Sequence, residues 1–288
     1  MPKRTFVACG RLGSGKLRLT GKSVPFLGTS LQTRQVRIVK RHCTALILVL
    51  ISGNAIAQLP LAQRDPVLDQ EKAIAAKVEG RSHIRNFDLQ TKVPEIRIDA
   101  GPTLSFYDNG TGNVVHEERW EKVPLPEQAS FNQWATYTAD EPTGKALFED
   151  MFYRFFFIHE LGHWMQDEVL RQRRDPMAKQ ADKNSATARW QYESVANRIS
   201  VAWWREQDSG YLDRLVNDFR KIQRNLPNPI PQGEDARAFF TREYQKLAED
   251  PNAYGWFQLQ MVILVYEEKP ALSFQQAIDK LPSENYGN

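Results

Sequence analysis

The spacing of apolar residues changes character twice along the chain. From Val67 to Val78 it is helical and the residues are good helix formers, which predicts a first helix. Between Glu95 and Trp120 it becomes short β-type runs, Ile96 to Ile98, Leu104 to Tyr107 and Val114 to Trp120. Asp108-Asn109-Gly110, between the last two runs, predicts a hairpin turn. Residues 121–143 hold several prolines and polar side chains and read as a surface loop. Beyond Thr143, Leu147, Met151, Phe155, Ile158, Leu161, Met165 and Val169 recur at spacings of three and four, one face of a helix running to about Arg171. Its middle, Met151 to Ile158, is apolar nearly all round, which predicts burial. A charged connector, Arg171 to Lys183, leads to a second helix from Ser185 to Gln207, and further helices are predicted over 210–224, 233–249, 253–267 and 273–281. A small sheet followed by helices is an α+β order. No repeat or long linker divides the chain after Gln58, so residues 58–288 are expected to form one domain.

Charge is unevenly spread. Of 38 basic residues ten lie in residues 1–57, where there is no acidic residue, so the remaining 231 carry 28 basic and 35 acidic side chains. The whole-chain net charge of +3 therefore hides a main portion of −7, which gives no reason to expect a nucleic-acid partner. Both cysteines, Cys9 and Cys43, also fall in the first 57 residues. A metal site in the remainder must be built from histidine and carboxylate.

The first 57 residues have the order of a secretory signal. A basic cluster from Arg37 to His42 precedes the apolar run Ala45 to Ile51, and Ala55-Ile56-Ala57 supplies a small-x-small cleavage site before Gln58. The apolar run is too short for a bilayer span, which takes about 20 residues. Export to a bacterial periplasm or beyond is the expectation, with an organellar transit peptide as the alternative. Because some 35 residues stand ahead of the basic cluster, the start of translation is expected nearer Leu31 or Val36. Gly10 to Lys16 imitates a phosphate-binding loop, but Leu17 replaces the hydroxyl residue that ligates magnesium and no apolar strand precedes it.

The buried helix carries His159-Glu160-Leu161-Gly162-His163. Histidines four residues apart project from one helix face, so both imidazoles reach a single zinc ion while the glutamate lies beside the open coordination position. Only four histidines follow residue 57, and two are here; His83 and His116 read as ordinary surface or strand residues.

With this motif and its apolar flanks, Phe156 to Ile158 and Leu161 to Met165, the chain resembles the zinc metallopeptidases of the zincin type. No histidine follows His163, so the extended metzincin pattern is absent and the third ligand is expected to be a carboxylate. In the gluzincin branch, which includes the thermolysin-like enzymes, that ligand is a glutamate on a later helix, with an Asp or Asn four residues on supporting a zinc-bound histidine. The resemblance thus implies a zincin-like fold, Glu193 as third ligand and Asn197 as the supporting residue. Asp167, Glu168 and Glu149 are the other carboxylates open to the ligand role. The resemblance rests on residues Phe152 to Arg198.

The activity this implies is hydrolysis of a peptide or protein substrate with one Zn2+ ion, Glu160 being the general base. The family commonly adds a downstream His or Tyr that stabilises the oxyanion. With no histidine left, Tyr211, Tyr244, Tyr254, Tyr266 and Arg198 are the candidates, and Tyr254 is preferred because Asn252 to Phe257 opens an apolar helix after Pro251. Substrate is expected along an edge strand, with Val114 to Trp120 as the candidate. The alternative from another class is a zinc-stabilised binding or scaffold protein without turnover.

Overall fold

A computed structural model describes residues 65–82, 93–98, 104–108, 112–140, 142–172 and 187–284. The leader, its cleavage site, the phosphate-loop imitation, His83, Asn109-Gly110 of the hairpin turn and most of the charged connector lie outside them.

Helix α1 (Pro66–Ser82) is capped by Asp65, whose Oδ1 accepts from the Val67 and Leu68 amides at 3.0 and 3.1 Å. Three short strands follow, β1 (Glu95–Ile98), β2 (Ser105–Asp108) and β3 (Val114–Glu117). They form a sheet in the order β1-β3-β2, with β3 parallel to β1 and antiparallel to β2. The predicted pairing of the second and third runs is therefore present. Two details differ. The third strand stops at Glu117, and Trp120 to Lys122 form a 3-10 turn instead. The strand is also central, so the expectation that Val114 to Trp120 offers a free edge to substrate is wrong: both of its backbone edges are spent on β1 and β2. The edge strand nearest the site is β2.

The segment expected to be a loop over 121–143 contains helix α2 (Leu125–Ala135). Its prolines mislead because Pro124 is the cap and Pro126 lies in the first turn, where a missing N–H breaks no helical bond. Phe131, Trp134 and Ala135 recur at spacings of three and one, and all are buried.

The long helix predicted from Leu147 to Arg171 is three pieces. Helix α3 (Gly144–Asp150) runs into a π-helical stretch, Met151–Phe156, and then into α4 (Phe157–Gln172). The wider π turn leaves main-chain carbonyls misaligned, and the next helix, α5 (Ala188–Gln207), supplies donors for two of them. Ser200 Oγ donates to Phe155 O at 2.7 Å and Trp204 Nε1 to Arg154 O at 3.2 Å. Helices α6 (Ser209–Asn225), α7 (Ala236–Leu247), α8 (Pro251–Glu267) and α9 (Phe274–Lys280) complete the chain close to the predicted ranges.

The result is mostly helical with one small sheet, an α+β arrangement in which every described residue belongs to one compact unit. Phe155, Phe157, Ile158, Leu161, Trp164 and Met165 of the π stretch and α4 are fully or almost fully buried, as are Trp203 and Trp204 of α5. Helices α4 and α5 thus form the centre of the core, as an all-round apolar helix requires. No helix among the described residues is long and apolar enough to cross a membrane.

Candidate metal centre

Helix α4 presents His159 and His163 to α5, which answers with Glu193. All four side chains of the constellation are out of solvent: His159, Glu160, His163 and Glu193 keep 2%, 3%, 1% and 1% of their exposure. The two helices approach closely because residue 162 has no side chain. A Cβ on Gly162 would stand 3.0 Å from Ala196 Cα and 3.2 Å from its carbonyl oxygen. Glu193 Oε2 lies 3.3 Å from His159 Nε2 and 3.7 Å from His163 Nε2. One ligand atom from each of the three residues falls within 4.8 Å of the others, so the cluster can hold a metal ion.

One face of α5 organises this arrangement. Glu193, Asn197, Ser200 and Trp204, at spacings of four, three and four, point in turn at the histidines, at His159 Nδ1, and at the two π-stretch carbonyls. Asn197 Oδ1 sits 2.9 Å from His159 Nδ1. An amide oxygen only accepts, so Nδ1 carries a proton, and in the neutral imidazole the Nε2 lone pair is then directed to the cluster. Burial alone lowers the basicity of His159, but its bond to Glu193 and the nearby Glu160 charge outweigh this and hold its pKa above the usual value. Burial likewise opposes ionisation of Glu193, and the two imidazoles facing it overcome this, holding its carboxyl well below the usual range.

Buried polar atoms test whether a cation suits the place. His163 Nε2 and Glu193 Oε1 are buried with no hydrogen-bond partner. An unsatisfied buried polar group costs about 1 to 3 kcal/mol, and an ion between these atoms removes the penalty. Two imidazole nitrogens and a carboxylate oxygen are also a donor set typical of zinc. The residues present therefore fit a metal.

Sequence reasoning missed two polar side chains within hydrogen-bond distance of the ligands. Gln166, fully buried one turn beyond His163, has its amide nitrogen 3.1 Å from His163 Nδ1 while its own oxygen lacks a partner. A half-turn of that amide makes the oxygen accept from Nδ1–H and frees the His163 Nε2 lone pair for a cation, as Asn197 does for His159. Gln258 of α8 donates from Nε2 to Glu193 Oε2 at 3.2 Å and also to the Tyr254 hydroxyl. The spacing of three from His163 is the signal that could have found Gln166, whereas nothing in the sequence marks Gln258 as a neighbour of Glu193.

Glu160 faces the sheet. Its Oε2 accepts from the Tyr107 amide of edge strand β2 at 2.9 Å. A pocket of about 70 Å3 opens here, lined by His159, Glu160, Glu193, Tyr254 and Gln258 and by the aromatic residues Phe131, Trp134, Phe152 and Phe156. It has room for several water molecules.

Of the proposed oxyanion donors, Tyr254 alone lines this pocket. Tyr211 OH donates to Asp150 O, Tyr266 OH to Asp213, Tyr244 packs against Phe240 and the Tyr254 ring without lining the pocket, and Arg198 is paired with Glu268 and Glu284. The other carboxylates considered as ligands are likewise elsewhere. Asp167 accepts from Tyr192 OH and Glu149 pairs with Lys145, and neither they nor Glu168 belong to the cluster. His116 stacks on Phe106 within the sheet, ring centroids 4.4 Å apart.

Comparison with protein-family models, with curated proteins and with solved structures found no match. The chemistry of the site rests on its own geometry.

Proposed function

We propose that the chain is a zinc-dependent metallopeptidase of the gluzincin type with a zincin-like fold, exported through its leader and acting on peptide or protein substrates. The observation that carries this reading is the meeting of His159, His163 and Glu193 in one buried cluster, with Glu160 of the same motif beside the pocket. A single Zn2+ ion held by the three residues would supply a Lewis acid that acidifies water and polarises the scissile carbonyl.

The chain's own residues do the rest. Glu160, oriented by the Tyr107 amide, accepts one proton from the attacking water as the new C–O bond forms. It then delivers that proton to the amide nitrogen as the C–N bond breaks, so the amine leaves neutral and the carboxylate is regenerated. Asn197, and Gln166 once its amide is turned to present the oxygen, hold the imidazoles in the tautomer that keeps Nε2 available. The Tyr254 hydroxyl stands in the pocket wall as the donor for the developing oxyanion, a contribution of about 3 to 4 kcal/mol for a well-placed group. The aromatic walls exclude water and favour apolar side chains.

The test is peptide hydrolysis by the zinc-reconstituted chain and by Glu160→Gln. The reading expects the wild type to cleave a mixed peptide library and the variant to bind zinc equally but not to cleave. A wild type that holds one zinc ion and cleaves nothing establishes the scaffold alternative instead.

A further inference from the structure

We infer that Gln258 is a substrate-binding residue: its side-chain oxygen accepts the backbone N–H of the substrate residue whose carbonyl is attacked. This rests on the peptidase reading of the site and adds to it the part of the substrate that is recognised.

The orientation of the Gln258 amide follows from its partners. Glu193 Oε2 accepts from Gln258 Nε2 at 3.2 Å, so the NH2 end of Gln258 faces it. The second amide hydrogen goes to the Tyr254 oxygen, one helical turn earlier on α8. Both donors are thereby spent, and turning the amide round would press its oxygen against a carboxylate. What remains is Oε1, a buried acceptor with no hydrogen-bond partner, in a residue that is 7% exposed and lines the pocket beside His159, Glu160 and Glu193. A buried acceptor left empty destabilises the site, and a ligand N–H satisfies it.

Peptide stereochemistry says which N–H. In an extended chain the N–H and C=O of one residue point to the same side, as they do when a residue exchanges both bonds with a neighbouring strand. Gln258 and Tyr254 lie together on one wall of the pocket. A residue whose carbonyl oxygen turns to the Tyr254 hydroxyl therefore presents its own N–H to Gln258 Oε1. The recognised class is a peptide with a secondary amide at that residue. Proline or an ester linkage there removes the hydrogen and leaves the acceptor empty.

The test uses the zinc-reconstituted full chain bearing Glu160→Gln, which keeps bound peptide intact. A blocked apolar hexapeptide, acetyl-AAFLAA-amide, is compared with versions N-methylated at each amide in turn, binding being read from tryptophan fluorescence, to which Trp134 in the pocket wall contributes. One position is expected to lose about tenfold or more in affinity on methylation. Gln258→Met, with zinc content checked, is expected to abolish that loss and bind both peptides alike. Gln258→Asn, which withdraws the oxygen by one methylene, is the second variant and is expected to do the same. A scan with no sensitive amide, or no binding of the parent peptide, overturns the inference even if neither variant folds. A sensitive amide whose loss persists in the variants overturns it too. If the Gln258-dependent position is found but wild type cleaves nothing, the peptidase reading falls and the recognition stands.

Discussion

Gly162 is the residue through which the geometry of the site can be disturbed without touching a ligand. In Gly162→Ala the new Cβ would stand 3.0 Å from Ala196 Cα, 3.2 Å from its oxygen and 3.3 Å from its Cβ, at least about 0.4 Å inside the nearest ordinary contact in the first case. All three atoms are main chain or bonded directly to it, so α4 and α5 must part by several tenths of an ångström. Gly162 precedes His163, and Ala196 lies between Glu193 and Asn197, so the parting separates the histidines from the carboxylate. Metal sites tolerate about 0.2 Å of error in ligand distances, less than this displacement. Stability responds differently. Overpacking costs about 1 to 3 kcal/mol, while alanine in place of a helical glycine returns about 1 kcal/mol. The expected signature is a metal-free protein whose unfolding midpoint falls modestly and a zinc affinity that falls about 10- to 100-fold, the range seen when ligand orientation is disturbed. Competition against a chelating dye gives the affinity, and urea unfolding in chelator gives the stability. Zinc affinity within about twofold of wild type, with the variant folded, would refute the claim that this contact sets the ligand geometry.

Other perturbations have distinct readouts. Asn197→Ala leaves His159 Nδ1 without its acceptor and is expected to weaken zinc about 10- to 100-fold, with Asn197→Asp restoring most of it; unchanged affinity in the dye assay contradicts the role. Ser200→Ala strands the Phe155 carbonyl of the π stretch and should cost about 1 to 3 kcal/mol of stability in urea unfolding, whereas Ser200→Thr should cost less. Glu71 on α1 is fully buried, and burial pushes its pKa up to about 7 despite Arg119 nearby, with buried Glu117 raised in the same way. A carboxyl raised above its unfolded value favours folding below about pH 4.5 and loses that contribution as pH rises through 7, on the order of 3 kcal/mol in all. Glu71→Gln should therefore flatten the pH dependence of stability over this window, and a slope equal to wild type would contradict it. Gly255→Ala places a Cβ 2.5 Å from the Trp134 ring, so the indole must move and the pocket's tryptophan fluorescence should shift; an unchanged spectrum argues against that packing.

The sequence conveyed the site better than its surroundings, for reasons visible in particular residues. His159, Glu160 and His163 lie within five positions on one helix, so local geometry alone sets their relation. Glu193 and Asn197 needed the family pattern, and the structure brings both to the histidines. Gln258 acts through a tertiary contact between helices that residue type does not announce, whereas Gln166 stands three residues beyond His163 on the same helix, a spacing that was open to reading. Helix α2 was hidden by prolines that fall where a helix tolerates them, and the π stretch by an apolar pattern that reads the same whether or not the helix widens. The error over β3 has a topological cause: β1 joins it in parallel from the far side, a pairing fixed by connections that no local period encodes.

The most direct test of the proposed metal centre is an anomalous difference map from a zinc-soaked crystal, recorded on both sides of the zinc edge. The account predicts one peak bonded to His159 Nε2, His163 Nε2 and a Glu193 oxygen at about 2.0 to 2.2 Å. A fully soaked crystal with no peak between these residues, or with a peak that Glu193 does not reach, contradicts it.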